Sequence, residues 1–220
     1  SSDVYKRQVP IPGVSDGQRD KLTHAGIYGI DTSIATLEEL YDIDIPFYVR
    51  VNFTSVEEIV DVMGGVDVES ELAFTTGEEA GAIVEVKQGK NHFTGKEALA
   101  FVRERKALAE GDNQRGKNQQ ALLTGLIRST MSPKILIHAN GMINSVAGNA
   151  DTNMSEKQMK ALIRMQLDTL AGWDIESVAA VGDSSGKKRC YSYKGGPLYV
   201  TVPSESSVEE IKEKMRNVCQ

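Results

Sequence analysis

The strongest constraint on the fold of this chain is a set of five helix-start signals spread along it. In a capping box, a Ser or Thr hydroxyl caps the first helical turn, and an acid or amide three residues later bonds back to it. The pattern occurs at Thr36–Glu39, Thr54–Glu57, Thr94–Glu97, Ser155–Gln158 and Ser207–Glu210. One match is a weak signal, but each of these enters a run of apolar residues at helical spacing. The sequence therefore predicts helices that begin near all five positions.

Strand patterns lie between these helices. Phe47, Val49, Val51 and Phe53 alternate with polar residues, which predicts a half-buried strand over 47–53. Strands that alternate with helices favour a mixed or largely parallel sheet covered on both faces. We therefore predict a three-layer α-β-α fold of the α/β class. The other predicted strands are 66–69, 82–86, 175–182 and 197–202, and the predicted helices are 33–42, 55–63, 95–103, 114–130, 134–147, 156–171 and 207–218.

Composition and charge limit the possible functions. The chain has 220 residues and a formal net charge of −6. Duplex binding depends on Lys and Arg side chains that neutralise phosphates, so the acidic balance argues against a general nucleic-acid binder. The sequence also lacks a run of about 18 apolar residues, the length that spans a bilayer. Any anion site must therefore be a local cluster of cations.

Segment 103–120 contains such a cluster. Arg103 and Arg105 end one predicted helix, while Asp112, Arg115 and Gln119 share a face at the start of the next. Helix N-termini attract anions, and guanidinium groups donate paired hydrogen bonds while staying charged. The pattern therefore suits a doubly charged phosphate group. From spacing alone, a solvated helix–loop–helix with a surface Asp112–Arg115 pair is the simpler interpretation.

Four ordered sequence blocks decide between these two interpretations. The blocks are DKLTHA at 20–25 followed by YG, YVRVNF at 48–53 followed by VDVMGGVDV, FTGKEALAFVRER at 93–105, and the spaced Asp, Arg, Gln and Gln of 112–120. In this order they resemble the LytR-CpsA-Psr family. The resemblance is close over 9–125 and is one of general pattern beyond that range.

The resemblance implies a function in the cell envelope. Family members are membrane-anchored proteins on the outer face of Gram-positive cells. They transfer a glycan phosphate, from teichoic acid or capsular polysaccharide, from a polyprenyl-pyrophosphate carrier to peptidoglycan. An older family name describes transcriptional attenuators, but the acidic charge and the lack of a DNA-binding motif argue against that role. The alternative that stays open is a non-catalytic envelope sensor that binds the lipid pyrophosphate.

The resemblance also assigns roles to residues. Asp112 is expected to orient an arginine or to take part in proton transfer, and it joins Arg103, Arg105 and Arg115 as a catalytic residue. The lipid tail is expected in an apolar tunnel between sheet and helices. The expected pyrophosphate ligands are Lys21, Arg50, Arg103, Arg105, Arg115 and Gln119.

The N-terminal end departs from the family pattern. Family members have a transmembrane anchor, an acidic strand and an SxPRD motif whose acids hold Mg²⁺, just before the equivalent of Val9. Here Tyr5–Gln8 do not match that motif. We therefore expect a domain that lacks its N-terminal part, with 1–8 as a non-native leader and 9–220 as one domain. The metal ligands are expected to be missing, and the state of Cys190 and Cys219, the oligomeric state and the glycan stay open.

Overall fold

The structure of the protein is a computed structural model that describes residues 7–14, 16–107, 112–130, 150–169 and 173–218. The chain forms two compact units, one built from Ser1–Pro46 with Ser177–Gln220 and the other from Phe47–Glu176. The prediction of a single domain over 9–220 stays a prediction. The helix predicted at 134–147 lies outside the described residues.

The first unit combines the two ends of the chain. Its elements are β1 (Gln8–Pro10), β2 (Arg19–Lys21), a 3-10 helix (Leu22–Tyr28), α1 (Ile30–Tyr41), β9 (Gly182–Asp183), β10 (Lys187–Cys190), β11 (Tyr193–Tyr199), β12 (Val202–Pro203) and α6 (Glu205–Val218). Antiparallel pairs join β1 to β2, β10 to β11 and β9 to β12. The second of these pairs is a hairpin.

Arg7 and Gln8 are part of this unit and belong to the stretch 1–8 that is predicted to be a non-native leader. Arg7 is buried, and its guanidinium donates two hydrogen bonds to the carbonyl of Ala180, with Nε at 2.8 Å. The backbone N–H of Gln8 donates to the carbonyl of Thr201 at 2.9 Å. A buried guanidinium needs such acceptors. Arg7 and Gln8 are therefore packed into the described fold, and the assignment of 1–8 as a non-native leader stays a prediction.

The second unit holds the larger core. Phe101 is fully buried and packs its ring on Phe74 and Phe93, with centroids 5.9 Å and 5.2 Å away. The elements of this unit are β3 (Val49–Val51), α2 (Phe53–Val62), β4 (Val66–Ser70), β5 (Phe74–Thr75), a 3-10 helix (Glu78–Ala80), β6 (Glu85–Val86), β7 (Gly89–Phe93), α3 (Gly95–Arg103), α4 (Asp112–Thr130), β8 (Ala150–Thr152) and α5 (Glu156–Thr169). Antiparallel pairs join β3 to β8, β4 to β7 and β5 to β6.

The mixture of helices and strands agrees with the predicted α/β class, but the strand directions differ from the expectation. All the strand ladders among the described residues are antiparallel, and a single parallel bridge joins Arg7 to Thr201. A parallel pair needs a crossover connection, usually a helix. Between β4 and β7 the chain forms two-residue strands and one short 3-10 helix. The strand predicted over 175–182 is wrong except at Gly182, where β9 begins.

Helix starts agree with the sequence signals at some positions. Thr94 and Ser155 form the predicted capping boxes. The cap of α2 is instead Asn52, whose side-chain oxygen accepts a backbone N–H from the first turn. Thr36 and Ser207 lie inside α1 and α6, which begin upstream. Among the helices of the described ranges, none has both the length and the apolar character needed to cross a membrane.

Candidate functional site

The predicted arginine cluster lies at the ends of two helices, α3 and α4, which are joined by a buried hydrogen bond. α3 ends at Arg103, and α4 carries Arg115 in its first turn. The side-chain amide of Asn118 donates to the carbonyl of Phe101 at 3.2 Å. Arg103 lies two residues after Phe101, and Arg115 lies three residues before Asn118. The arginine-bearing ends of α3 and α4 therefore lie at the same end of the helix pair.

An apolar groove of about 450 Å³ runs along this helix pair. Its surface is almost entirely hydrocarbon, which suits an apolar chain and not a sugar. Leu123 is 58% exposed, so the groove is open to solvent along α4. The side chains that form its walls include Phe53 and Val56 of α2, Leu99 and Val102 of α3, and Leu122 and Leu123 of α4.

Arg103 lies at the rim of this groove. Its guanidinium carbon is 5.2 Å from the centroid of the Phe53 ring, which forms part of the groove wall. A Cβ atom placed on Gly81 would lie 3.7 Å from Nη1 of Arg103, so the turn at Gly81 also borders the guanidinium. Stacking on an aromatic ring orients the guanidinium without using its N–H donors.

Arg115 and Gln119 lie one turn apart on α4, on the helix face that continues to Leu122 and Leu126. Gln119 and both leucines line the groove, and Arg115 is half-buried. This face therefore changes from apolar to cationic toward the N-terminus of α4, where the helix dipole also favours an anion. Gln119 thus lines the groove, Arg103 contacts a residue of its wall, and Arg115 lies one turn before Gln119 on the same face of α4. Their role as phosphate ligands stays a prediction.

Arg50 does not join this group. It forms an ion pair with Asp151 on the neighbouring strand, with Nη2 and Oδ2 2.7 Å apart. Val51, the next residue of β3, lines the groove. Since successive side chains of a strand point to opposite faces, Arg50 faces away from the groove. Its role as a pyrophosphate ligand stays a prediction.

The remaining predicted residues are only partly placed. Arg105 is exposed, two residues beyond the end of α3. The side chain of Asp112 lies outside the described residues. Lys21 belongs to the first unit, where its backbone N–H donates to Asp20 at 2.7 Å. The roles assigned to these three residues stay predictions.

Sequence reasoning missed Glu104, which lies between two of the arginines and is 4% exposed. Its Oε1 accepts the backbone N–H groups of Arg105 and Lys106 at 2.7 Å and of Ala107 at 3.0 Å. Its Oε2 accepts the N–H of Gly77 at 2.6 Å. Burial alone would raise the pKa of this carboxyl, but the four backbone donors outweigh it and hold the pKa below its usual value. Within an RER triplet this acid looks like surface charge, so the sequence carried no signal for it.

A larger cleft of about 730 Å³ lies on the paired strands β4 and β7 and the C-terminal part of α4. Its basic groups are partly neutralised within the cleft, because Asp67 accepts hydrogen bonds from Lys90 at 2.9 Å and His92 at 2.8 Å. Arg128 lies in the same cleft. These mixed charges make the larger cleft a poorer match for a lipid tail than the apolar groove.

The first unit contains an Asp–His–Ser cluster that is structural in its geometry. Nδ1 of His24 lies 2.6 Å from Oδ1 of Asp20 and 2.7 Å from Oγ of Ser192. In a nucleophile triad the carboxylate and the hydroxyl bind opposite ring nitrogens, whereas here they share one. Burial would raise the pKa of Asp20, but hydrogen bonds from Ser192, His24 and the N–H of Lys21 lower it overall. The cluster ties β2 to the β10–β11 hairpin.

The described residues do not test the predictions for the metal ion and the cysteines. Within them, no three or more His, Cys, Asp or Glu side chains form a group that could hold a metal ion. The Mg²⁺ expected from the family resemblance stays a prediction. Cys190 is buried, and burial raises the pKa of its thiol. Cys219 lies outside the described residues, so the question of a Cys190–Cys219 bridge stays open.

The chain is similar to known sequences over most of its length. The LytR_cpsA_psr family model matches residues 7–217. The polyisoprenyl-teichoic acid–peptidoglycan teichoic acid transferase TagU of Bacillus cereus (strain AH820) is 31% identical over 205 residues, which are 93% of this chain and 63% of the relative. The corresponding transferase TagT of Bacillus subtilis (strain 168) is 29% identical over 220 residues, which cover 98% of this chain and 62% of the relative. The chain thus spans less than two thirds of the length of these relatives.

Solved structures share the fold. Bacillus subtilis TagV superposes with a TM-score of 0.76 at 22% identity, over 97% of this chain and 80% of that one. A structure of TagT bound to LI-WTA gives a TM-score of 0.70 at 26% identity, over 97% of this chain and 75% of that one. These matches confirm the predicted α/β fold class. Since the family model covers nearly the whole sequence, the chain belongs to the LytR_cpsA_psr family.

Proposed function

We propose that this domain transfers a glycan phosphate of the teichoic-acid type from a polyprenyl-pyrophosphate carrier to peptidoglycan. One observation carries the proposal: the guanidinium of Arg103 stacks on Phe53, an aromatic residue of the apolar groove wall. A polyprenyl pyrophosphate has the matching shape, an apolar chain that ends in two phosphates. Relatives of this chain carry the name of teichoic acid transferases, which supports the same substrate class.

The groove and the arginines bind different parts of this substrate. Each CH₂ group removed from water contributes about 0.8 kcal/mol, so two isoprene units in the groove supply several kcal/mol. Arg103 and Arg115 supply charge-assisted hydrogen bonds to the phosphates at the groove end. Because the tail fixes the position of the headgroup, the reacting phosphorus is held beside the guanidinium groups before the acceptor arrives.

The proposed reaction is a displacement at phosphorus. A peptidoglycan hydroxyl oxygen attacks the phosphorus that bears the glycan, and the bond from this phosphorus to the oxygen of polyprenyl phosphate breaks. The hydroxyl proton passes to a base, for which Asp112 is the predicted candidate, or to solvent. The guanidinium groups neutralise charge on the phosphoryl oxygens, and removal of one such donor typically lowers the rate by about 10²–10³. The full-length protein is expected to use Mg²⁺ as well.

The substrates also define where the reaction takes place. A polyprenyl carrier stays in the membrane and peptidoglycan lies outside it, so the domain is proposed to act at the extracytoplasmic face. Attachment through an N-terminal anchor of the full-length protein would keep the groove close to the carrier.

A binding experiment tests the apolar groove and the Arg103 guanidinium separately. Isothermal titration would compare geranylgeranyl pyrophosphate with geranylgeraniol, which has the same tail and no phosphate. Arg103→Gln should weaken binding of the pyrophosphate only, whereas Leu123→Gln should weaken binding of both. Arg128→Gln and Leu162→Gln are matched controls, since each removes a similarly exposed side chain outside the groove. Equal affinity of the wild-type chain for the two probes would refute the proposal.

A transfer experiment separates the enzyme from the sensor. The full-length protein is incubated with polyprenyl-pyrophosphate-linked glycan and peptidoglycan, with Mg²⁺ or with a chelator. Release of polyprenyl phosphate that depends on Arg103 and Arg115 supports the transferase. Tight binding without release would instead support a sensor of lipid-linked precursors. Release that survives loss of both arginines would contradict the mechanism.

A further inference from the structure

We propose that Glu104 is a positioning residue for the pyrophosphate site, because its carboxylate fixes the chain segments that border Arg103 and carry Arg105. This inference rests on the proposed function and deepens it. Glu104 is buried, so it has no direct access to a bound headgroup. Its contribution must therefore act through the backbone that it organises.

The first segment is the turn that follows α3. Oε1 of Glu104 accepts three consecutive backbone N–H groups, from Arg105, Lys106 and Ala107, at 2.7, 2.7 and 3.0 Å. Three donors that converge on one oxygen leave this stretch of backbone little freedom. The direction in which Arg105 leaves the helix is thereby set.

The second segment is the loop around the 3-10 helix Glu78–Ala80. Oε2 of Glu104 accepts the N–H of Gly77 at 2.6 Å. Within the same loop, the hydroxyl of Thr76 donates to the carbonyl of Ala82 at 2.7 Å. Gly81 lies between these bonds, and its backbone borders the guanidinium of Arg103. One carboxylate thus ties the end of α3 to the loop beside its last arginine.

A surface ion pair supplements this link without replacing it. Lys106 and Glu79 join the same two segments at 2.5 Å, but both side chains are largely exposed. Exposed pairs of this kind hold geometry weakly. The buried carboxylate of Glu104, with its four backbone donors, is therefore the main constraint on the positions of Arg103 and Arg105.

Glu104→Gln is the direct test, because it keeps the side-chain shape and replaces one acceptor oxygen by an NH₂ donor. At least one backbone N–H then faces a donor, and the local turn must shift. A displacement of about 1 Å at a phosphate site can cost on the order of 10²-fold. We expect affinity for geranylgeranyl pyrophosphate to fall by about 10- to 100-fold while affinity for geranylgeraniol stays unchanged.

Glu97→Gln is the matched control. Glu97 lies in α3, the helix that Glu104 directly follows, and it also accepts a backbone N–H, that of Thr94, at 2.8 Å. Glutamine serves equally at this position of a capping box, so both affinities should stay at wild-type values. If Glu104→Gln does not fold, Glu104→Asp keeps the charge but cannot reach all four donors. It should show a smaller loss of the same kind.

The outcomes separate this inference from the proposed function. Wild-type affinity for pyrophosphate in Glu104→Gln, together with a loss in Arg103→Gln, would overturn the positioning role and leave the function standing. Equal loss for both probes would also overturn it, since the residue would then maintain the groove as a whole. A wild-type chain that does not distinguish the two probes would refute the proposed function, and the inference with it.

Discussion

Replacement of Gly95 by Ala tests the contact that sets where α3 begins. Gly95 is the first residue of α3, and its N–H donates to Oδ1 of Asp61 on α2 at 2.8 Å. A Cβ atom at this position would lie 2.3 Å from the carbonyl oxygen of Glu57 and 2.8 Å from its carbonyl carbon. Both atoms belong to the backbone of α2, so no side-chain rotation relieves the overlap. The two helices must move apart by about 1 Å to restore ordinary contact.

Two effects of opposite sign determine how much Gly95→Ala changes the free energy of unfolding. Gly95 has no positive φ, so Ala should stabilise the chain by about 0.4–1 kcal/mol through the unfolded state. Forced separation of packed elements costs about 1–3 kcal/mol. The overlap should dominate, with a net loss of about 1–2 kcal/mol. For a chain of this length that corresponds to a fall in Tm of roughly 2–8 °C.

Thermal and urea unfolding followed by circular dichroism would measure this loss. Gly186→Ala is the matched control, because no atom lies within 4 Å of its added Cβ and its φ is not positive. It should change the free energy of unfolding by less than about 0.5 kcal/mol. A Tm for Gly95→Ala at or above that of the wild type would show that the close approach of α2 and α3 is not a constraint.

Three further substitutions test the core, the helix pair and the first unit. Phe101→Ala should lower the free energy of unfolding by about 3–5 kcal/mol, measured by urea unfolding, because the ring is fully buried between two other phenylalanines. Asn118→Ala should lower it by about 1–3 kcal/mol and weaken pyrophosphate binding, since the bond between α3 and α4 is lost. Asp20→Asn should be most destabilising near neutral pH. The carboxylate of Asp20 has a lowered pKa, so it stabilises the fold above its unfolded-state pKa of about 4, and this contribution is lost as the pH falls through the folded-state value. Urea unfolding at pH 7 and at pH 3 should therefore show a smaller difference between Asp20→Asn and wild type at the lower pH.

Local signals in the sequence determined several elements of this protein. The helix predicted at 95–103 matches α3 at both ends, because Thr94 and Glu97 form a real capping box and the apolar spacing continues to Arg103. The helix predicted at 114–130 differs from α4 by two residues. Such signals depend on residues three or four apart, so they do not depend on contacts with distant parts of the chain. The arginines were found in the same way, as residues at the ends of two well-marked helices.

Contacts between distant segments decided the rest. β3 pairs with β8, about a hundred residues later in the chain, and no local pattern indicates that partner or its antiparallel direction. Arg50 lies in a sequence block that predicts a phosphate ligand, but the pairing of β3 with β8 places Arg50 beside Asp151. Glu104 depends on Gly77, 27 residues earlier. Helix caps and helical faces can therefore be predicted from short stretches of sequence. The groove, its rim and the buried acid exist only once distant parts of the chain pack together, because burial is a property of the packed chain and not of any residue within it.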